Sequence, residues 1–460
     1  MVTWTRACAY LRKSVQNALL SPDQSQVTVQ GWLQSVRLQK NYVFASLSDG
    51  LGPETLQLVF KPSPDAKGLN VNSFVQVSGD LVLTPGRKQP AELKCHKIDI
   101  IRPCPADQGY PFPARSRPTW QQARQHVHLR SRLPHVAALL RTRAAVTRAL
   151  HEHMERRGYV HVHTPAITAN DCEGAGDVFT VVAPKQATCE AEEERRPFFG
   201  EDVHLTVSGQ LHLEAISSGI THVYSLSPAF RAESSRTRRH LAEFHMLEAE
   251  LAPVQRLPEL TDALQELTQD VAATFLDRSG RELELILPDA WREQLASVER
   301  LISAPFAQLT HAEAVSVLQR RREPGAPAAP GGELSRQHEL ALLEHCGQTP
   351  VFVTDWPARL KPFYVRTEGD TAAAVDVLVP RIGELAGGSL REDDPARLTA
   401  RLHGLGLLPR LDWYAQLRRF GGPPTAGYGL GLERLLLLLT GLESVRDVVP
   451  FPRWWQHCDT

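Results

Sequence analysis

Residues 230–251, FRAESSRTRRHLAEFHMLEAEL, hold the densest chemistry in the sequence. Read as two strands joined by a loop, a period of two places Arg231 and Glu233 on one face of the first. In the returning strand Phe244, Met246, Glu248 and Glu250 share a face, with His245, Leu247 and Leu251 opposite. Carboxylates beside an aromatic ring, on a strand that otherwise looks core-forming, are costly to bury unless they meet cations or a polar ligand. The loop supplies Arg236, Arg238, Arg239 and His240, so a surface hairpin laced with salt bridges competes with the polar-ligand reading. The acidic, aromatic face favours the ligand.

Two further segments carry similar potential. AGYGLGLERLLLLLTGL, 426–442, reads as a Gly-rich turn feeding an apolar helix, with Arg434 in its first turns and Gly441 as its stop. Backbone N–H groups at a helix start suit phosphates, but the pattern is neither GxGxxG nor GxxxxGK[ST] and says little alone. In GELAGGSLRE, 383–392, Glu384 and Arg391 bracket a glycine pair that reads as flexible. The pairs His151/His153 and His161/His163 suggest a metal. Spacing of two on a helix sends the first pair to different faces, and no HExxH accompanies either, so that reading is set aside. Seven cysteines, odd in number and never spaced CxxC, indicate neither a disulfide framework nor a zinc cage and fit a reducing compartment.

Three regions must position these groups. Residues 24–104 read as five short strands with turns at Asp49-Gly50 and Pro85-Gly86. Such a run suits a small barrel, either of the OB type, whose face binds single-stranded nucleic acid, or an SH3-like one. Residues 105–135 are Pro-rich, then arginine-rich; from Arg115 to Arg157 there are ten arginines and two acids. A solvated helix surface or contact with a phosphate backbone explains such a block. From 136 onward the pattern is mixed α/β. A helix over 139–157 ends at Gly158 and leads into the strand YVHVHTP, closed by Pro165; further helices run over 257–276, and strands return at VFVTDW and AVDVLVP. The stretches 189–197 and 323–333 read as surface loops.

Composition sets outer bounds. With 460 residues, 51 Lys+Arg against 52 Asp+Glu, and 42% hydrophobic residues, the chain is of ordinary globular composition with room for two or three domains. The longest aliphatic run, Leu435 to Leu439, falls far short of the roughly 20 apolar residues of a membrane span, so no membrane partner is expected. Near-neutrality hides an asymmetry: 17 basic and 8 acidic residues up to position 135, against 34 and 44 beyond it. The first 22 residues contain Arg6, Arg12 and Lys13 but no acid, the character of a mitochondrial transit peptide.

Taken together, the segments resemble the class II aminoacyl-tRNA synthetases of the aspartate/asparagine/lysine branch, and within it the mitochondrial asparaginyl enzymes. The helix and strand ending at Pro165 resemble motif 1, FRAE…RRHLAEF motif 2 and GLGLER motif 3, and the likeness covers residues 24–460. It implies an α+β catalytic domain, an antiparallel sheet flanked by helices, preceded by an all-β OB-type barrel. The boundaries it implies are a transit segment over 1–22, an anticodon-binding barrel over 24–104, a Pro/Arg-rich hinge over 105–135 and a catalytic domain over 136–460.

It implies as well that the amino acid's carboxylate attacks the α-phosphorus of ATP, giving an adenylate and pyrophosphate. Arg231 then matches the arginine on the α-phosphate and Arg434 the one on the γ-phosphate. His240 falls near the terminal phosphates, Phe244 under the adenine ring, and Glu233 at adenine's exocyclic amine. Glu384 matches a Mg²⁺ ligand; Gly387 stands where some aspartyl relatives carry a second ligand, a serine. SGQLHLE, 208–214, resembles the asparaginyl version of its segment: Gln210 holds the substrate's α-amino or carboxyl end, and Leu213 stands where aspartyl enzymes carry a lysine. Loss of that cation penalises an aspartate carboxylate, whereas Arg391 can donate to either substrate. Glu173 and Glu248 match positions near the substrate's ammonium. In the barrel, Arg37, Phe44 and Gln57 match positions that read the anticodon. The implied partners are tRNA(Asn), asparagine and a second copy of the chain. An aspartyl enzyme of relaxed specificity and a catalytically dead, RNA-binding relative are the alternatives.

Overall fold

A computed structural model of the chain describes residues 14–20, 24–62, 68–84, 89–105, 108–112, 117–170, 177–183, 198–327 and 331–459. Glu173, the stretch 189–197 and the turn at Pro85-Gly86 lie outside the described residues. The chain divides into two units, residues 1–142 with 281–289, and residues 143–280 with 290–460.

In the first unit, β1 (Gln24–Leu38), β2 (Val43–Ser48), β3 (Leu56–Phe60), β4 (Phe74–Leu83) and β5 (Ala91–Arg102) close a barrel in the order β1-β2-β3-β5-β4. Alternation drives closure: Val43, Ala45 and Leu47 point inward and are buried, while Phe44, Ser46 and Ser48 face outward. A helix over Val15–Leu20 adds Val15 and Ala18, both buried, to this barrel core, and the Val15 N–H donates to Asp49 Oδ2 at 2.8 Å. The leader expected over 1–22 therefore overlaps the folded barrel.

The expected hinge carries a small core of its own, in which Phe112, Ala123, Leu133 and Val136 pack together, and its helix Trp120–Arg124 opens with a Thr119/Gln122 capping box. Of its arginines, Arg130 is buried and Arg117 donates to the carbonyls of Leu285 and Ile286; in the helix that follows, Arg141 forms a two-pronged pair with Glu282 at 2.7 Å.

The strands of the second unit are β6 (Val160–His161), β7 (Ile167–Thr168), β8 (Thr180–Val181), β9 (Val203–Leu205), β10 (His222–Phe230), β11 (Glu243–Leu251), β12 (Ala307–Thr310), β13 (Val351–Pro357), β14 (Thr367–Glu368), β15 (Thr371–Val379), β16 (Gly383–Leu390) and β17 (Ala426–Gly431). The main sheet runs β12-β13-β15-β16-β17-β11-β10-β6, with β14 on β15, and is antiparallel except at β6/β10 and β12/β13. Three sequence expectations change here. The Gly-rich stretch before the motif 3 helix is strand β17, not a turn; the glycine pair Gly387-Gly388 lies inside strand β16; and Arg231 and Glu233 fall just beyond the end of β10. In the first two cases neighbouring strands on both sides supply hydrogen bonds that override glycine's weak strand preference. The helix expected over 257–276 extends over Leu257–Ile286. No described helix is long and apolar enough to cross a membrane, and among the described cysteines Cys95, Cys104, Cys346 and Cys458 are free.

Candidate active site

Strand register assembles the site before any side chain is considered. Glu248 lies opposite Gly429, Gly429 opposite Gly387, and Gly387 opposite Asp376; one step along, Glu250 lies opposite Gly427 and Gly427 opposite Ser389. Opposed residues share a face, so Glu248 and Glu250 look across a strip of glycine towards Asp376 and Ser389. That strip must stay bare. A Cβ on Gly429 would stand 2.8 Å from Met246 Cε and 3.3 Å from Gln210 Nε2, and one on Gly427 would overlap the Glu250 carboxylate and the Arg391 guanidinium.

Over one end of the strip opens a cleft of about 150 Å³ into which Arg231, Glu233, His240, Phe244, Glu384 and Arg434 all project. The six residues matched to ATP thus converge on one cavity, joined by Arg239 and Glu433. Arg231 lies 5.5 Å from the centroid of the Phe244 ring, so cation and aromatic face form adjacent walls. His240 Nδ1 is held by the hydroxyls of Ser235 (3.1 Å) and Thr237 (2.5 Å), leaving Nε2 3.6 Å from Glu233. Arg434 sits in the first turn of the helix Leu432–Thr440, donates to the Glu384 carbonyl at 2.7 Å and lies 3.4 Å from its carboxylate. Behind the cleft Glu433 anchors Arg143 at 2.8 Å and accepts the His245 N–H at 3.0 Å, fixing β11 to this helix.

One wall is acidic, and sequence reasoning found only part of it. The Glu384 N–H donates to Glu339 at 3.2 Å, and Asp376 and Glu384 both approach the bare α-carbon of Gly387. Burial and the adjacent Glu384 carboxylate push Glu339 up to about 7. Burial also raises Asp376, against the pull of Lys361, whose ammonium meets both Asp376 oxygens at 2.8 Å. Mg²⁺ is a hard cation that takes one or two carboxylates together with phosphate oxygens. The oxygen pair of Glu384 and Asp376 fits it. An acid inside the apolar run TAAAVDVLV was the signal for Asp376.

At the other end of the strip a cluster of polar side chains gathers around Gln210. Gln210 opens the helix Gln210–Ser217, and its Oε1 accepts from the Tyr364 hydroxyl at 3.2 Å. Glu248 is buried and accepts from the Gly209 N–H at 2.9 Å and from the Ser208 hydroxyl. Arg391 is buried too, gripping Glu250 through Nε (3.0 Å) and a terminal nitrogen, with its other terminal nitrogen on Ser389 Oγ at 2.7 Å. Burial works against its charge, but Glu250 outweighs that and holds the guanidinium above its ordinary value. Beneath, Glu214 binds Arg418 at 2.5 Å, Thr425 Oγ1 at 3.0 Å and the Tyr414 hydroxyl. Leu213, one residue before Glu214, is wholly buried. Tyr364, which also lies 4.9 Å from Arg391, carried no motif that could have revealed it.

On the barrel, Arg37 pairs with Phe44 across β1/β2, and Ser46 with both Ser35 and Gln57, which puts Arg37, Phe44 and Gln57 on one outward face. Phe44 is half-buried, not core, and the Gln57 amide turns back to the carbonyls of Ala45 and Leu58 at 3.2 Å.

Two family profiles match the chain: "tRNA synthetases class II (D, K and N)" over residues 120–455, and "OB-fold nucleic acid binding domain" over residues 27–101. The second decides between the two barrel readings. Asparaginyl-tRNA synthetase of Mus musculus is 40% identical, with 98% of this chain and 95% of that one covered. Asparagine--tRNA ligase of Microcystis aeruginosa is 39% identical, with 94% and 96% covered. Among solved structures, asparaginyl-tRNA synthetase from Pyrococcus horikoshii complexed with asparaginyl-adenylate superposes with a TM-score of 0.84 at 28% identity, covering 96% of this chain and 98% of that one.

Proposed function

Since the chain belongs to the class II tRNA synthetases of the D, K and N group and is an aminoacyl-tRNA ligase, we propose that it joins asparagine to tRNA(Asn) through an asparaginyl-adenylate, in mitochondrial translation. One observation carries the choice of amino acid. Around Gln210 the carboxylates of Glu214, Glu248 and Glu250 are buried, the two nearby buried arginines are already taken, Arg391 by Glu250 and Arg418 by Glu214, and Leu213 supplies no cation. An aspartate carboxylate entering there would be underpaired among acids, whereas a neutral amide can both donate to a carboxylate and accept from Arg391. The relatives' names and the adenylate-bound neighbour point the same way.

The chemistry follows from the geometry. The asparagine carboxylate is ionised at neutral pH and needs no general base. One of its oxygens attacks the α-phosphorus, the bond to the β-phosphate oxygen breaks, and pyrophosphate leaves. Arg231 meets the charge developing on the α-phosphate, a bidentate donor suited to phosphate oxygens. Arg434 and His240 hold the departing end, and Phe244 stacks on adenine while Glu233 accepts from its amine. Mg²⁺ held by Glu384 and Asp376 would supply further charge neutralisation on the phosphates. In the transfer step we assign no dedicated protein base among the described residues, so the adenylate's own phosphate oxygen accepts the proton of the attacking tRNA hydroxyl. Sulfur in place of that oxygen should slow single-turnover transfer strongly, and an unchanged rate refutes this assignment.

ATP–pyrophosphate exchange run with asparagine and with aspartate tests the whole reading. Exchange with asparagine alone is expected; exchange with aspartate alone defeats it, and none with either favours a dead relative. The mitochondrial destination rests on the basic, acid-free first 22 residues. Because Val15 and Ala18 belong to the barrel core, removal of a leader is expected to stop before Ser14, which N-terminal sequencing of the protein recovered from mitochondria checks. A homodimer is proposed on the motif 1 resemblance, with the short edge strand β6 and its exposed Val160 available to a second copy.

A further inference from the structure

Next to the ATP cleft lies a larger cavity, of about 530 Å³, whose charged lining is Arg238, Arg239, Arg336, Arg381 and a single acid, Glu443. Glu443 is spent on Arg238, in an exposed pair at 2.8 Å. The hydrogen-bond partners of the other three arginines are neutral oxygens, with the Glu339 carboxylate near Arg239 and the Glu293 carboxylate near Arg381. Arg239 donates to the carbonyls of Arg381 and Ile382, Arg336 to the Arg381 carbonyl at 3.3 Å, and Arg381 to Gln294 Oε1 at 2.9 Å and the Leu438 carbonyl at 3.4 Å. Carbonyl oxygens orient a guanidinium without cancelling its charge, and each guanidinium carries five N–H donors, so donors and charge remain for an anion. Burial first, then the nearby Arg336 and Arg434 cations, push Arg239 down to about 10 against the pull of Glu339.

Arg381 has φ of +65°, in the left-handed region where glycine is at ease, as the tight turn between β15 and β16 requires.

We propose that this cavity is a second anion site, which receives pyrophosphate as it leaves the ATP cleft. Arg239 lines both cavities and is the shared wall across which the leaving group passes. Arg434 and His240, at the departing end of ATP, stand on the cleft side of that wall; Arg336 and Arg381 stand beyond it. Three guanidinium groups that hydrogen-bond only neutral oxygens match the several negative charges of pyrophosphate. The walls Ile382, Leu437 and Leu442 offer no aromatic surface for a base, which favours a bare oligophosphate over a nucleotide. This inference rests on the adenylate-forming reading above.

The test uses the full-length enzyme with Arg381→Gly, which suits the left-handed backbone, and Arg336→Gln, on an exposed helix position. In asparagine-dependent exchange each should raise the KM for pyrophosphate about tenfold, while the KM for ATP stays within about twofold, tenfold being about 1.4 kcal/mol. An unchanged pyrophosphate KM overturns the proposal. So does an equal rise in the KM for ATP, which would assign these arginines to the ATP cleft, or a rise confined to the KM for tRNA, which would make RNA the occupant. Should exchange fail with asparagine altogether, calorimetry with pyrophosphate alone still separates the two ideas: weaker binding by Arg381→Gly supports the anion site, and equal binding refutes it.

Discussion

The barrel and the catalytic sheet are both β-structures closed around a core, yet they treat charge in opposite ways. Inside the barrel the buried set is apolar, from Val15 to Leu93, and the functional candidates Arg37, Phe44 and Gln57 stand on its outside. In the sheet the working face buries Glu248, Glu250 and Arg391, each at 2% exposure or less. A barrel that displays its groups can bind a flexible single strand, because stacking and hydrogen bonding need only one exposed face. A site that must neutralise charge forming on a phosphate does so more strongly in a water-poor setting, where electrostatic interactions are larger. Display serves recognition; enclosure serves chemistry.

The contrast can be broken most forcefully at Glu250. Glu250→Gln should leave Arg391 buried and underpaired and lower stability by about 3–5 kcal/mol, seen by denaturant unfolding; replacing both partners with apolar residues should recover much of that without restoring exchange. Full stability in the single variant would mean that the sheet does not depend on its enclosed charges. Next in size, Arg231→Ala should cut adenylate formation by about 10²–10³ with the fold intact, and near-normal exchange would contradict its role. On the displaying side, Phe44→Ala should weaken tRNA charging by about 1–3 kcal/mol, the worth of one stacked base, while tRNA-independent exchange is unchanged. Equal loss in both assays would turn Phe44 into a structural residue.

The smallest effect sharpens the contrast through pH. Glu339 is raised from 4.5 to about 7 in the fold, so the native state binds more protons than the unfolded one between those values. Its contribution is fully present below about 4.5 and is lost as pH rises towards about 7. Glu339→Gln should flatten that fall, by on the order of 1 kcal/mol after solvent screening, as read from melting curves across the window. A wild-type slope in the variant would assign the pH dependence elsewhere.

Much of this was legible in the sequence because period-two alternation survives translation into structure. Phe44 reads as outward beside Val43 and Ala45, and Glu248 and Glu250 read as sharing the Phe244 face. Local rules failed where distant partners decide. Glycine-rich 426–431 looked like a turn because glycine is a poor strand former, but it is sandwiched between β11 and β16. That Arg141 and Arg143 pair with Glu282 and Glu433 could not be read from the arginine block of 115–157, because those acids are remote in sequence. Lys361, Tyr364 and Glu339 had no spacing signature at all; only strand pairing and helix placement bring them to the site.

The glycine strip has a bearing on inheritance. At position 427 every missense change reachable from a glycine codon adds at least a methyl group, and there even a methyl would collide with the buried Glu250–Arg391 pair. That codon therefore has no mild neighbours in the genetic code. Variants found there in a population should be rare and recessive-loss in character, whereas the outward barrel positions around Phe44 should tolerate a graded series.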